Sequence, residues 1–410
     1  MAVQSNRQAS PEVAALDAPP RPDVTVVLPC LNEATTVAAC VAAAHRGFAA
    51  AGVRGEVIVA DNGSSDGSRE LAAAAGARVI DVATRGYGMA LCHGIVAAQG
   101  EFVVMGDADG TYDLTTLAPF ITALRDGADL VMGNRFQGGI ASGAMPPLHR
   151  HLGNPVLTRL ARLFFGVPVG DVYCGLRAFR RHSILKLGLR SGGMEYALEM
   201  LVKAQLAGLR VSEVPTTLAP AADGRRSHLD TWRDGRRSLR LFLLCAPNWL
   251  FLYPGLAAAG VGAIGLALLA TDARAVAGVR FSVHTLVYCA MAVLIGAQAA
   301  CFAFFSRIGA ERAGLLQEGG RASRALVDFR VERLLLVAGV LVAAGITGSL
   351  LALSRWRAAG FSDLDPFPMM RLVIPSATAV ALGLQVAFAG LYTSVLKHTR
   401  PAPERRDPPG

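Results

Sequence analysis

Charge is scarce in this chain: 17% of its 410 residues are charged and 52% are hydrophobic. Soluble domains average near 25% charged, so a wholly water-soluble protein is excluded and part of the chain is expected in lipid. Paired cysteines are lacking too. The seven cysteines, at 30, 40, 92, 174, 245, 289 and 301, are odd in number and never spaced CxxC, which argues against a disulfide framework and a zinc site. Lysine is sparse beside arginine, a compositional bias with no functional reading. Residues 1–22, with prolines at 19, 20 and 22, lack the basic start and apolar core of a secretory signal and are expected to form a disordered arm. The formal charge of +9 favours anionic partners, and its location must decide among nucleotide, lipid headgroup and nucleic acid.

What is present falls into two halves. Over 23–222, short β-branched runs alternate with longer alanine- and leucine-rich stretches, the pattern of a parallel sheet covered by helices. Strands are expected at Val24–Leu28, Glu56–Ala60, Arg78–Asp81, Phe102–Gly106 and Leu130–Gly133, with ligand chemistry at their carboxyl ends. Over 248–396 come four apolar stretches, 248–270, 284–306, 334–354 and 372–396, each near the ~20 residues a spanning helix needs. They lack the polar stripe of a buried soluble helix. Gly339/Ala343 and Gly345/Ser349 are small residues four apart, suited to close helix packing.

Between the halves, 223–247 interleaves Leu229, Trp232, Leu239 and Phe242 with six arginines and resembles an interfacial helix. The loop between spans two and three and the tail 397–410 are the richest in basic residues. Both termini and the soluble half are therefore expected on the cytoplasmic side of the cell membrane. Because the basic residues adjoin the spans, nucleic acid is disfavoured as a partner.

Three segments carry chemistry. In VVLPCLNE, ending at Glu33, a strand stops at Pro29 and turns into a helix expected to begin near Glu33. In Asp61-Asn-Gly-Ser-Ser-Asp-Gly-Ser68 a strand runs into a polar turn whose carboxylate can accept from a base N–H or ribose hydroxyls, although these are also ordinary turn formers. In Gly100-Glu-Phe-Val-Val-Met-Gly-Asp-Ala-Asp109 an apolar strand ends in two acids one residue apart. Mg²⁺ or Mn²⁺ on a sugar diphosphate needs only one or two protein carboxylates, because phosphate oxygens and water complete its shell. Glu195 and Glu199, four apart on an expected helix, read either as one polar face or, at Glu195, as the base a hydroxyl acceptor would need.

The ordered series VVLPCLNE, VIVADNGSSDGS, RGYGMAL, GDADGTYD, DLVMGNRFQGG, DVYCGLRAF and RVSEVP resembles family-two glycosyltransferases of the dolichol-phosphate mannose synthase type, including polyprenyl-phosphate glycosyltransferases with C-terminal membrane helices. The resemblance implies an α/β, GT-A-type mononucleotide-binding domain followed by an α-helical transmembrane region of about four helices. It implies inverting transfer of a hexose from a nucleoside-diphosphate sugar to polyprenyl phosphate, with Mg²⁺ or Mn²⁺. Residue by residue, it implies donor contacts at Pro29, Leu31, Glu33, Asp61, Asn62, Arg85, Gly86, Asp107, Ala108 and Asp109. Asp107 and Asp109 would hold the metal and share the catalytic work with Arg135 and Arg177. The acceptor phosphate would meet Arg135, Arg177, Arg225, Arg226 and His228.

Two departures stand out. Thr111 occupies a position where these enzymes often carry a glutamine, with Asp113 a candidate helper, and Gly224-Arg-Arg-Ser-His replaces a usual Gly-Ser-Lys. The donor sugar is left unassigned, and a homo-oligomer is compatible with the sequence. Two other readings are a transferase acting on a lipid or polysaccharide hydroxyl and a non-catalytic nucleotide-binding partner or lipid translocator.

Overall fold

A computed structural model describes residues 21–221, 231–271, 273–276, 279–312 and 331–398. The chain divides into two compact units, Met1–Leu239 and Arg240–Gly410.

The first unit is built on seven strands: β1 (Val24–Cys30), β2 (Gly55–Asp61), β3 (Arg78–Asp81), β4 (Phe102–Met105), β5 (Leu130–Asn134), β6 (Arg177–Arg180) and β7 (Val211–Pro215). They lie in the order β3-β2-β1-β4-β6-β5-β7. The β-branched runs become strands because both sheet faces are covered. Val26, Leu28, Val57 and Val59 belong to one buried cluster with Val41, Phe48, Phe120 and Leu124 from the helices α1 (Val37–Ala51) and α4 (Ala118–Arg125). Two further helices, α2 (Ser68–Ala74) and α3 (Tyr87–Ala97), follow β2 and β3.

The sheet is mixed, not parallel. β6 runs antiparallel to both β4 and β5. This strand escapes a search for apolar runs because it is only Arg-Ala-Phe-Arg. Its direction matters: Met105 pairs with Arg177, so the residues before β6 return along those that follow β4, at the rim where ligand chemistry belongs. The helix expected near Glu33 starts at Val37 instead. Asn32 takes a left-handed φ of 58° and the Glu33 amide donates to the Ser68 hydroxyl at 2.8 Å, which spends residues 31–36 on a turn.

In the second unit, Asn248–Leu269, Val283–Arg312, Val331–Ala358 and Pro366–Leu396 are long and apolar enough to cross a membrane, and at most 28% of any apolar window is covered by the chain itself. Glycines set the close approaches. A Cβ on Gly255 would stand 2.8 Å from the Gly296 carbonyl, and one on Gly345 would stand 2.5 Å from that of Ser376. Gly339 has open space instead, so of the two small-residue pairs the second faces a neighbouring helix. Thr231–Cys245 is a helix with Arg236, Arg237 and Arg240 exposed and Leu241, Phe242 and Cys245 buried. Arg225, Arg226 and His228 lie outside the described residues.

Candidate active site

The turns that leave β1 and β2 are laced together. Asn32 donates its amide to the Ser64 hydroxyl at 2.9 Å and accepts from the Ser65 amide at 2.9 Å, while Ala34 donates to Asp66 at 3.0 Å. Pro29 and Leu31 are half-buried on this turn and Glu33 is buried. Asp61, fully buried at the end of β2, accepts from the amides of Gly63 and Ser64. Next to it Asn62 reaches sideways. Its amide donates to the carbonyls of Val82 and Thr84, and its oxygen accepts from Gly86 at 2.6 Å. Asn62 thereby fixes the turn that displays Arg85, which is exposed.

The two acids beyond β4 are each held. Tyr87 donates its hydroxyl to Asp107 Oδ1 at 2.9 Å. Asp109, 8% exposed, accepts from the Thr111 amide at 3.0 Å and hydroxyl at 2.7 Å. Between them the buried Ala108 accepts, through its carbonyl, from the Thr36 hydroxyl at 2.8 Å. Thr111 thus orients Asp109, whereas Asp113 is exposed and occupied by Thr115.

The return segment before β6 forms the floor. Gly175 donates its amide to the Tyr112 hydroxyl at 2.8 Å, and a Cβ at 175 would lie 2.8 Å from Asp107 Oδ2. Only a glycine leaves that oxygen its place. Burial, reinforced by the charge of Asp107, raises the Tyr87 phenol well above its ordinary pKa, and burial does the same for Tyr112. Both stay protonated at neutral pH.

The two arginines have different settings. Arg135, 8% exposed, is gripped by the fully buried Asp171 through Nε at 2.6 Å and Nη2 at 2.9 Å. Burial opposes its charge, but the neighbouring Tyr112 and the Asp171 carboxylate together outweigh it and the pKa rises. Arg177 is completely enclosed and donates to the carbonyls of Ala197 and Cys174, and among the described residues its Nε has no partner. With no carboxylate bound to it, burial lowers its pKa. The structure therefore brings together the β1, β2 and β4 rim residues, whereas Arg177 lies beneath them.

Tyr87, Tyr112, Thr36, Asp171 and Gly175 were not singled out from the sequence as site residues. Tyr87, Tyr112, Asp171 and Gly175 stand inside the recognised RGYGMAL, GDADGTYD and DVYCGLRAF segments, which was the available signal.

The acids fit a divalent cation of the kind that completes its shell from phosphate and water. Both stand at one strand end, their rotation is limited by Tyr87 and Thr111, and Gly175 leaves room beside one of them. Among the described residues no set of three or more His, Cys, Asp or Glu could enclose a metal by itself, so a bound ion would depend on the donor's oxygens.

Residues 25–188 match the glycosyl transferase family 2 profile and residues 304–397 the glycosyltransferase family 2 C-terminal transmembrane region. The low-salt glycan biosynthesis hexosyltransferase Agl6 of Haloferax volcanii is 35% identical over 382 residues, 92% of this chain and 89% of that protein. The chain belongs to glycosyltransferase family 2. A dolichyl-phosphate hexose transferase of Haloferax volcanii is 34% identical over 194 residues, 47% of this chain and 81% of the relative. Among solved structures, glucosyl-3-phosphoglycerate synthase from Mycobacterium tuberculosis, in complex with Mn²⁺, UDP-glucose and phosphoglyceric acid, is similar at 23% identity and a TM-score of 0.42, covering 55% of this chain and 80% of that one. The chain is a glycosyltransferase with a mixed α/β domain followed by a C-terminal region of four helices long and apolar enough to cross a membrane.

Proposed function

We propose that this glycosyltransferase moves a hexose, with inversion at the anomeric carbon, from a nucleoside-diphosphate sugar to a polyprenyl phosphate. The observation that carries the reading is the oriented pair Asp107 and Asp109 at the end of β4, in a chain with four helices suited to span a membrane. The kinship with a dolichyl-phosphate hexose transferase supports the choice of acceptor. The proposed organisation is an arm (1–22), a catalytic domain (23–222), a basic juxtamembrane segment (223–247), four spans (248–396) and a basic tail (397–410). The arginine-rich loop and tail support a cytoplasmic position for the catalytic domain and both termini.

In this reading Pro29, Leu31, Glu33, Asp61 and Asn62 cradle base and ribose, Arg85 and Gly86 flank the diphosphate, and Asp107 and Asp109 hold Mg²⁺ or Mn²⁺ against it. When bound, the ion neutralises charge growing on the departing nucleoside diphosphate. Arg135, rigid on Asp171, offers its remaining donors to a phosphate. The enclosed Arg177 contributes its field. The acceptor needs no base, because a phosphate monoester with a second pKa near ~6 is already dianionic at neutral pH. What the chain supplies is alignment of that oxygen with C1, worth about 7–11 kcal/mol when near ideal.

A second reading has one specific observation behind it. Glu195 opens the helix Glu195–Leu206 with Oε2 buried and without a hydrogen-bond partner, as a base awaiting an acceptor hydroxyl would be. Donor screening of the purified chain with short-chain polyprenyl phosphate, products identified by mass, tests the proposal. Asp107→Ala and Asp109→Ala should each lower transfer by at least ~100-fold, and Glu195→Gln should leave it within a few-fold. Parental transfer by the aspartate variants would refute the first reading, and loss of orders of magnitude in the glutamine variant would favour the second. Release of no nucleoside diphosphate at all would point to a binding partner or lipid translocator.

A further inference from the structure

The turn bearing Tyr87 is clamped from two sides by segments far away in sequence. On one side Asn62 binds Val82, Thr84 and Gly86 as described above. On the other, Gly88 donates its amide to the Gly192 carbonyl at 2.9 Å. The approach is so close that a Cβ at Gly86 would stand 2.3 Å from the Gly192 oxygen and one at Gly88 would stand 2.3 Å from the Ser191 oxygen. Gly86 also adopts a φ of 143°, which an L side chain rarely tolerates.

The opposing loop is itself fixed from behind. The amides of Arg190 and Ser191 donate to the Glu199 carboxylate. Glu199 is buried and paired at 2.8 Å with Lys203, which also donates to the carbonyls of Leu187 and Gly188. The polar face read from the spacing of Glu195 and Glu199 is thus not a solvated face at Glu199. It is an internal strut whose far end bears on the Tyr87 turn.

We infer that Tyr87 is a positioning residue that sets the rotation of the Asp107 carboxylate for the divalent cation, and that Glu199 holds Tyr87 in place without touching any substrate. The inference rests on the proposal that Asp107 binds metal. The last torsion of an aspartate is broad and roughly two-fold, so a carboxylate at a strand end has no preferred direction of its own. A phenol fixed at 2.9 Å from Oδ1 supplies one. Hydrogen-bond partners of metal ligands characteristically control affinity by ~10–100-fold.

The test compares the full-length chain with Tyr87→Phe, Glu199→Gln and Asp107→Ala. Free Mn²⁺ is followed by electron paramagnetic resonance in the presence of UDP, and in a parallel arm GDP, and transfer is measured across Mn²⁺ concentrations. Tyr87→Phe should weaken Mn²⁺ binding by ~10–100-fold, recover most of its transfer at saturating Mn²⁺ and melt where the parent melts. Glu199→Gln should shift Mn²⁺ binding in the same direction and also melt earlier. If Tyr87→Phe binds Mn²⁺ as the parent does, or loses transfer equally at every Mn²⁺ concentration, the positioning role is overturned. If it does so while Asp107→Ala loses Mn²⁺, only this inference falls. If Asp107→Ala keeps parental Mn²⁺ binding, the metal proposal falls with it.

Discussion

Replacing Gly175 by alanine is the sharpest perturbation the site offers, because it adds one methyl group and removes nothing. The new Cβ would stand 2.8 Å from Asp107 Oδ2 and 3.1 Å from Tyr112 Cε2. Ordinary contact begins near 3.4 Å, so the carboxylate oxygen must retreat by about 0.6 Å. Asp107 is half-exposed and its oxygen is the far end of a side chain, so the shift should cost little stability, at the lower end of the ~1–3 kcal/mol typical of overpacking. Function is less forgiving. Reactive constellations tolerate about 0.5 Å of displacement, and a misplacement of ~1 Å can cost ~100-fold in rate. Gly175→Ala should therefore transfer sugar ~10–100-fold more slowly than the parent while its melting temperature stays nearly unchanged. Initial rates of polyprenyl-phosphate glycosylation and thermal unfolding of the same detergent-purified samples measure both quantities. Parental transfer would show that Asp107 Oδ2 is not needed where the structure puts it.

Two further outcomes follow from the buried pairs. Asp171→Asn leaves the Arg135 guanidinium without its counterion, and breaking a buried pair from one side costs about 3–5 kcal/mol. Adding Arg135→Met should restore much of that in denaturant unfolding, and a single-variant loss below ~1 kcal/mol would refute the buried-pair reading. For Glu199, burial would raise the pKa, but Lys203 and the Ser191 amide outweigh it and hold the carboxyl below its ordinary value. A depressed carboxylate stabilises the fold above its unfolded pKa near ~4.3 and loses that contribution as pH falls through the lower folded value. The melting-temperature gap between parent and Glu199→Gln should thus be widest near pH 7 and narrow as pH falls below the unfolded pKa near ~4.3 and through the lower folded value, whereas an unchanged gap would refute the assignment.

Much of this was legible because β-branched runs ending on Asp, Asn or Gly mark buried strands and their rims. β1 to β5 start and stop within one or two residues of where that pattern puts them. β6 was not visible, since four residues flanked by arginines carry no apolar signature and strand direction leaves no mark on a sequence. β7 was not among the expected strands either, but it is the missed β6 that explains the missed floor: without an antiparallel β6, nothing brings Gly175 beside Asp107. Arg177 was expected at a substrate phosphate because the resemblance puts an arginine in that segment, whereas the structure pairs it with Met105 inside the sheet and encloses it completely. The hydrogen bond from Tyr87 to Asp107 joins residues on different elements, a relation that spacing cannot express.

The settings of the two arginines bear on why a cation belongs at this rim. Arg135 is committed to Asp171 and Arg177 to main-chain carbonyls, so neither forms a salt bridge with Asp107 or Asp109. A donor diphosphate brings further negative charge to those acids, and each like-charge pair near 4 Å opposes binding by about 1–4 kcal/mol at effective dielectrics between water and a protein surface. A dianionic acceptor approaching C1 would add to the repulsion. In the proposed reading, a divalent ion held by Asp107 and Asp109 would reverse the sign of the local field, and the exposed Arg85 would add to it from the turn that Asn62 fixes. In that reading, placement of the acids by Tyr87 and Thr111 matters because two protein oxygens would have to meet an ion whose remaining ligands arrive with the substrate.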